Sequence, residues 1–124
     1  MPKKIEKKYS ISDTLKERTY KFALKILELA SMLPDTEEGK VIKRQLCKSG
    51  TSVGSNLEEA DGSLTLNDFV YRVDIAFKEG KETRYWLRLI IDRRLLKREV
   101  VNPHLNECVE LIKILSTIIY KCLQ

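Results

Sequence analysis

Turn-forming residues are scarce in this chain. Five glycines and three prolines among 124 residues are too few for the many short connections of an all-β fold, so helices are expected. Cysteine is equally sparse: Cys47, Cys108 and Cys122 are odd in number, far apart and without a CxxC pair, which argues against a disulfide framework or a zinc site. They read as small buried hydrophobes in a reducing cytosol. The single histidine, His104, leaves no Ser/His/Asp or Cys/His set for nucleophilic catalysis. No GxxxxGK[ST] loop is present to cradle phosphates. A di-iron bundle would need two Glu-x-x-His pairs, and although Glu79 and Glu82 have the i, i+3 spacing, no histidine follows. The expectation is a protein with no metal, no cofactor and no enzymatic activity.

Long apolar runs are missing as well. The uncharged stretch from Ile114 to Tyr120 is far shorter than the ~20 residues that span a membrane. The opening MPKKIEKKYS has a basic start but no apolar core behind it, unlike a secretory signal. A cytoplasmic protein without membrane contact is expected.

What is present is helical periodicity. Hydrophobic residues make up 43% and charged residues 33%, a balance suited to one soluble helical domain of ordinary size. Thr14 and Glu17 have capping-box spacing, so a first helix is expected from near Thr14 to before Pro34, with Leu15, Phe22, Ile26, Leu29 and Leu33 on one face. A second helix should run from Asp35 or Thr36 to about Ala60, with Gly62 as terminator. A third needs a cap at Thr65 or Asn67 and continues to roughly Leu96. The fourth has the clearest start, Asn102 as N-cap and Pro103 at the first helical position. Short connections make consecutive helices antiparallel neighbours, so the expected fold is all-α, an up-down-up-down four-helix bundle over residues 11–124 preceded by a flexible basic tail over residues 1–10.

Helix 4 has more apolar surface than one seam requires. Leu105, Cys108, Ile112, Leu115, Ile119 and Cys122 form one stripe, and Leu111, Ile114 and Ile118 a second beside it. The first suits the monomer core. The second is expected to form a subunit interface, the plainer alternative being a broad helix face inside the monomer.

The net charge of +5 is unevenly spread. Candidates for phosphate contact are Lys3, Lys4, Lys7 and Lys8 on the tail, Lys40, Lys43, Arg44 and Lys48 on helix 2, and the cluster Arg88, Arg93, Arg94, Lys97 and Arg98. Such spacing suits RNA or DNA binding of low sequence specificity. A solvated surface on an oligomeric protein-interaction adaptor is the competing reading.

Helix 2 also carries a polar line, Gln45, Ser49, Ser52, Asn56 and Glu59, beside its core positions. Buried unpaired polar groups are costly, so cross-helix hydrogen bonds with Arg72, Glu79 and Glu82 are expected, on a face leading to Trp86. Gly50 and Gly54 imply a close approach by a neighbouring element. The stretch RQLCKSGTSVGSNLEEA (44–60), followed by IAFKEGKETRYWLRLI (75–90), resembles the bacterial four-helix bundle proteins called 23S ribosomal RNA intervening-sequence proteins. Relatives of that family include the accessory protein that works with reverse transcriptase in diversity-generating retroelements. The resemblance implies a homopentamer, nucleic acid (chiefly RNA) as partner, and a protein partner such as a reverse transcriptase. Ser49, Ser52, Asn56, Glu59, Glu82 and Trp86 match the family's signature positions. They read foremost as a structural polar network that fixes helix register, with direct RNA contact the lesser reading.

Overall fold

In the computed structural model, residues 9–124 are described. Lys3, Lys4, Lys7 and Lys8 lie outside the described residues. Four helices follow in order: α1 (Asp13–Ser31), α2 (Glu37–Ala60), α3 (Leu66–Asp92) and α4 (Arg98–Cys122). Each packs on its sequence neighbour, α1 and α4 close the ring through the sparsest contact, and diagonal helices do not pack. The up-down-up-down bundle follows from these pairings and the short connections.

Local chemistry sets most of the helix ends. Thr36 and Thr65 cap α2 and α3, their hydroxyls accepting from Gly39 N and Asp68 N, and Gly62 takes the left-handed conformation after α2 at φ 84. The cap of α1 is Ser12, which accepts from Leu15 N; the Thr14–Glu17 pair is already inside the helix.

Two expected boundaries are overturned. α3 stops at Asp92, not near Leu96, and closes in a Schellman turn: Arg94 N bonds the Ile91 carbonyl at 3.0 Å and Leu95 N the Ile90 carbonyl at 3.0 Å. That turn places Arg94 at φ 56, a left-handed conformation that costs an L-residue about 1 kcal/mol. Replacing Arg94 with Gly should therefore raise stability by roughly 0.5–1 kcal/mol. Urea denaturation checks this, and an unchanged midpoint would mean the turn is not strained.

The second correction concerns α4, which starts at Arg98 with Lys97 as a cap that makes no side-chain bond, leaving Pro103 inside the helix. Pro103 cannot donate to the Glu99 carbonyl. The longer helix is favoured because it buries Val101 completely, a side chain whose burial is worth about 1.5–3 kcal/mol. Glu99 in the first turn also suits the positive end of the helix dipole.

The core is built from Leu15, Phe22, Ile26 and Leu29 on α1, Leu46, Val53 and Leu57 on α2, Phe69, Val73, Leu87 and Ile90 on α3, and Cys108, Leu111 and Leu115 on α4. Burial pushes the Cys108 thiol up to about 12. The chain is docked from Tyr9 onward: its carbonyl accepts from Gly62 N at 2.8 Å, and its ring lies 5.7 Å from that of Phe69. Ile11 N donates to Asp61 Oδ1 at 2.9 Å. Tyr9 and Ile11, on either side of the expected junction of tail and bundle, are thus both bonded to the segment after α2.

Candidate nucleic-acid interface

The antiparallel order brings the start of α2, the end of α3 and the start of α4 to one end of the bundle. The two basic clusters of the sequence, on α2 and around the α3–α4 turn, therefore share that end. Lys40, Arg44 and Lys48, each one turn apart, lie along the outer flank of α2 over ~12 Å, with Lys43 beside them; all four are exposed. Lys40 reaches Asp35 at 3.4 Å. Lys43, Arg44 and Lys48 make no ion pair among the described residues. Cys47 lies between them in a shallow depression with Lys40, Lys43 and Arg44.

The second cluster is less open than its sequence suggests. Arg93 is held in a two-pronged pair with Glu38 of α2, Nε to Oε1 at 2.5 Å and Nη2 to Oε2 at 3.0 Å. That bond holds the Glu38 carboxyl below its usual range and raises Arg93. Its role is to tie the end of α3 to the start of α2. Arg88, Arg94, Lys97 and Arg98 remain exposed.

The polar line of α2 faces α3, but only part of it is bonded across the seam. Thr83 donates its hydroxyl to Ser49 Oγ at 2.9 Å, both residues being buried. Arg72 spans the seam further along, to Asn56 Oδ1 at 3.5 Å and Glu59 Oε2 at 2.7 Å. Ser52 instead bonds the Lys48 carbonyl of its own helix at 2.7 Å. Trp86 Nε1 donates to Glu82 Oε1 at 3.4 Å, again within one helix, and Trp86 is half-buried with the Tyr85 ring 5.1 Å away, edge to face. Thr83 lies seven residues after Ala76 and four before Leu87, the spacing of a core row, so its hydroxyl role shows only with the partner helix in place.

One atom stands out in this seam. Glu79 Oε2 is buried and has no hydrogen-bond partner. Burial pushes the Glu79 carboxyl up, the nearby Glu82 adds to the rise, and Lys48 opposes it. In the fold Glu79 therefore holds its proton more tightly than in the unfolded chain, so its contribution favours the folded state more as pH falls through the raised value. At neutral pH the carboxylate is a burden. Glu79→Gln should stabilise the protein by about 1 kcal/mol at neutral pH, with the gain shrinking as acid protonates the wild-type group. Thermal melts across pH test this, and a gain independent of pH would show that ionisation is not its source.

The expected interface stripe also needs correction. Leu111 is 1% exposed and belongs to the monomer core, because it sits on the core-facing arc of α4 with Cys108 and Leu115. Ile114 and Ile118 are only half-buried. The larger uncovered apolar stripe is on α1, where Tyr20, Leu24 and Leu27 are exposed at steps of four and three. It lies outside the row Leu15, Phe22, Ile26, Leu29 and Leu33, the one face of α1 that the sequence periodicity singles out. Among the described residues no cluster of three or more His, Cys, Asp or Glu could hold a metal, and no helix is long and apolar enough to cross a membrane.

Four antiparallel helices with a polar α2–α3 seam and a basic α2 flank define a small four-helix bundle protein. The family model of the 23S rRNA-intervening sequence protein matches residues 13–117, and the chain belongs to that family. It is similar to a crystal structure from Bacteroides thetaiotaomicron VPI-5482, described as a protein with unknown function from the S23 ribosomal protein family. The two share 35% identity with a TM-score of 0.79, over 85% of this chain and 97% of that chain. Comparison with curated proteins gives no match.

Proposed function

We propose that this protein is a non-enzymatic homo-oligomeric bundle, a pentamer as its family resemblance implies, that binds nucleic acid, chiefly RNA, through the outer flank of α2. The observation that supports this most is the set Lys43, Arg44 and Lys48: exposed, of one sign and free of ion pairs among the described residues. A duplex carries one negative charge per ~1.7 Å of axis, so a cationic line of ~8 Å faces several phosphates and releases their counterions. Repetition around a ring raises the effective concentration of a weak patch. Arg94, Lys97 and Arg98 extend the positive field across the same end of the bundle.

Filter binding to a mixed-sequence RNA duplex at several salt concentrations tests the reading. A steep log-linear loss of affinity with salt is expected, and no binding at low salt would reject it. The exposed α1 stripe Tyr20, Leu24 and Leu27 favours a second reading, an oligomeric adaptor that binds protein, such as a reverse transcriptase, in place of nucleic acid. Sedimentation combined with the binding titration separates the two.

A further inference from the structure

The sparse contact between α1 and α4 leaves a cleft of about 530 Å³, walled by Lys21, Lys25 and Met32 on one side and by Pro103 and His104 on the other. That volume is within the ordinary range for small-molecule sites. The cleft lies across the bundle from the α2–α3 seam and shares no residue with the α2 cations.

Its chemistry is divided. Met32 and Pro103 give the cleft its accessible apolar surface, and the buried Phe22 and Leu29 close it from below. Arg18 and Glu107 neutralise one another through paired bonds of 2.8 and 2.6 Å. Lys25 has no ion-pair partner among the described residues, and Lys21 reaches only Glu17, at a slack 3.9 Å between exposed groups. Such a contact is readily given up. Glu28 is the one opposing carboxylate in the cleft without a cation bound to it.

We propose that this cleft binds a phosphate monoester carried on an aromatic body, the chemistry of a nucleoside 5′-monophosphate. Lys21 and Lys25 take the phosphate, and Met32 and Pro103, over the buried Phe22 and Leu29, take the aromatic part. His104 lies in the wall and reports on occupancy. Burial and then Lys25 push its imidazole below the usual value, with Glu28 opposing; Lys25 and Glu28 face it from α1, and the Arg18–Glu107 pair lies alongside. An anion seated on Lys25 offsets that repulsion, so the His104 value should rise on binding.

His104 is the one histidine of the chain, so its ring protons can be followed by NMR without assignment by mutation. Saturation with AMP should move its titration upward by about half a unit or more. Lys25→Ala should weaken AMP binding roughly tenfold and, independently, raise His104 in the free protein. Lys78→Ala, a remote exposed cation on α3, should do neither. An AMP-saturated protein with unmoved His104, or equal losses in the Lys25 and Lys78 variants, would overturn the site. Inorganic phosphate binding as tightly as AMP would overturn the role of the apolar surface.

Competition shows how the phosphate arrives. Displacement of AMP by a 5′-phosphorylated oligonucleotide assigns a strand end, and displacement by no oligonucleotide assigns a free nucleotide. Equal displacement by an unphosphorylated strand would overturn the monoester specificity. An Arg44→Glu/Lys48→Glu variant should keep its AMP affinity whatever becomes of duplex binding, and loss of AMP binding there would place the ligand outside the cleft.

Discussion

Replacing Arg44 and Lys48 together with Glu should lower RNA affinity by about a hundredfold at low salt and reduce the salt slope by about two. Both side chains project from the outer flank of α2 and neither is in an ion pair among the described residues. The substitution therefore removes the two proposed phosphate contacts of each subunit and adds two repulsive charges while leaving the core alone. Circular dichroism and sedimentation should be unchanged. Arg93 is unsuited to the same experiment, because reversing it sets a carboxylate against Glu38 and breaks the tie between α2 and α3. Unchanged RNA affinity in the α2 variant would remove that flank from the functional account and leave the adaptor reading.

The second large effect is steric. A Cβ at Gly50 would lie 2.5 Å from Ile26 Cγ2, deep in the α1–α2 contact, whereas at Gly54 the nearest atom is Thr19 Oγ1 at 3.2 Å. Ile26 is wholly buried and has no free direction in which to move. Alanine improves helix propensity by about 1 kcal/mol at either site, but forcing a methyl into a packed interface costs about 1–3 kcal/mol or more. Gly50→Ala should thus destabilise by roughly 2 kcal/mol, and Gly54→Ala should be near neutral. Urea unfolding of the two variants gives the comparison. Equal effects would mean the helices separate easily and that close approach at Gly50 is not required.

The contrast between these two glycines marks how far the sequence could be read. Their spacing already implied a close neighbour, but only the packed helices show which glycine is pressed. Helix ends governed by nearby residues, such as Thr36, Thr65 and Gly62, were legible because the cap and its partner lie within a few positions of each other. The start of α4 was not. Asn102–Pro103 has the local chemistry of a helix start, and it is overruled by Val101, whose burial depends on the neighbouring elements. Leu111 was misplaced for a related reason, since two adjacent apolar stripes on one helix are indistinguishable until its neighbours show how wide an arc they cover. The Arg93–Glu38 pair joins residues 55 positions apart, and no local pattern reveals it. In the candidate site the cationic residue types were readable, whereas their pairing state was not.

The distribution of charge along α2 has a further consequence. Lys40, Lys43, Arg44 and Lys48 occupy its first half, while Glu58, Glu59 and Asp61 gather at its far end. A helix charged oppositely toward its two ends experiences a torque near a polyanion. A single subunit should turn its α2 start toward the nucleic acid before any contact forms. Orientation before contact shortens the search for a productive encounter, and raising the salt concentration should remove that advantage from the association rate.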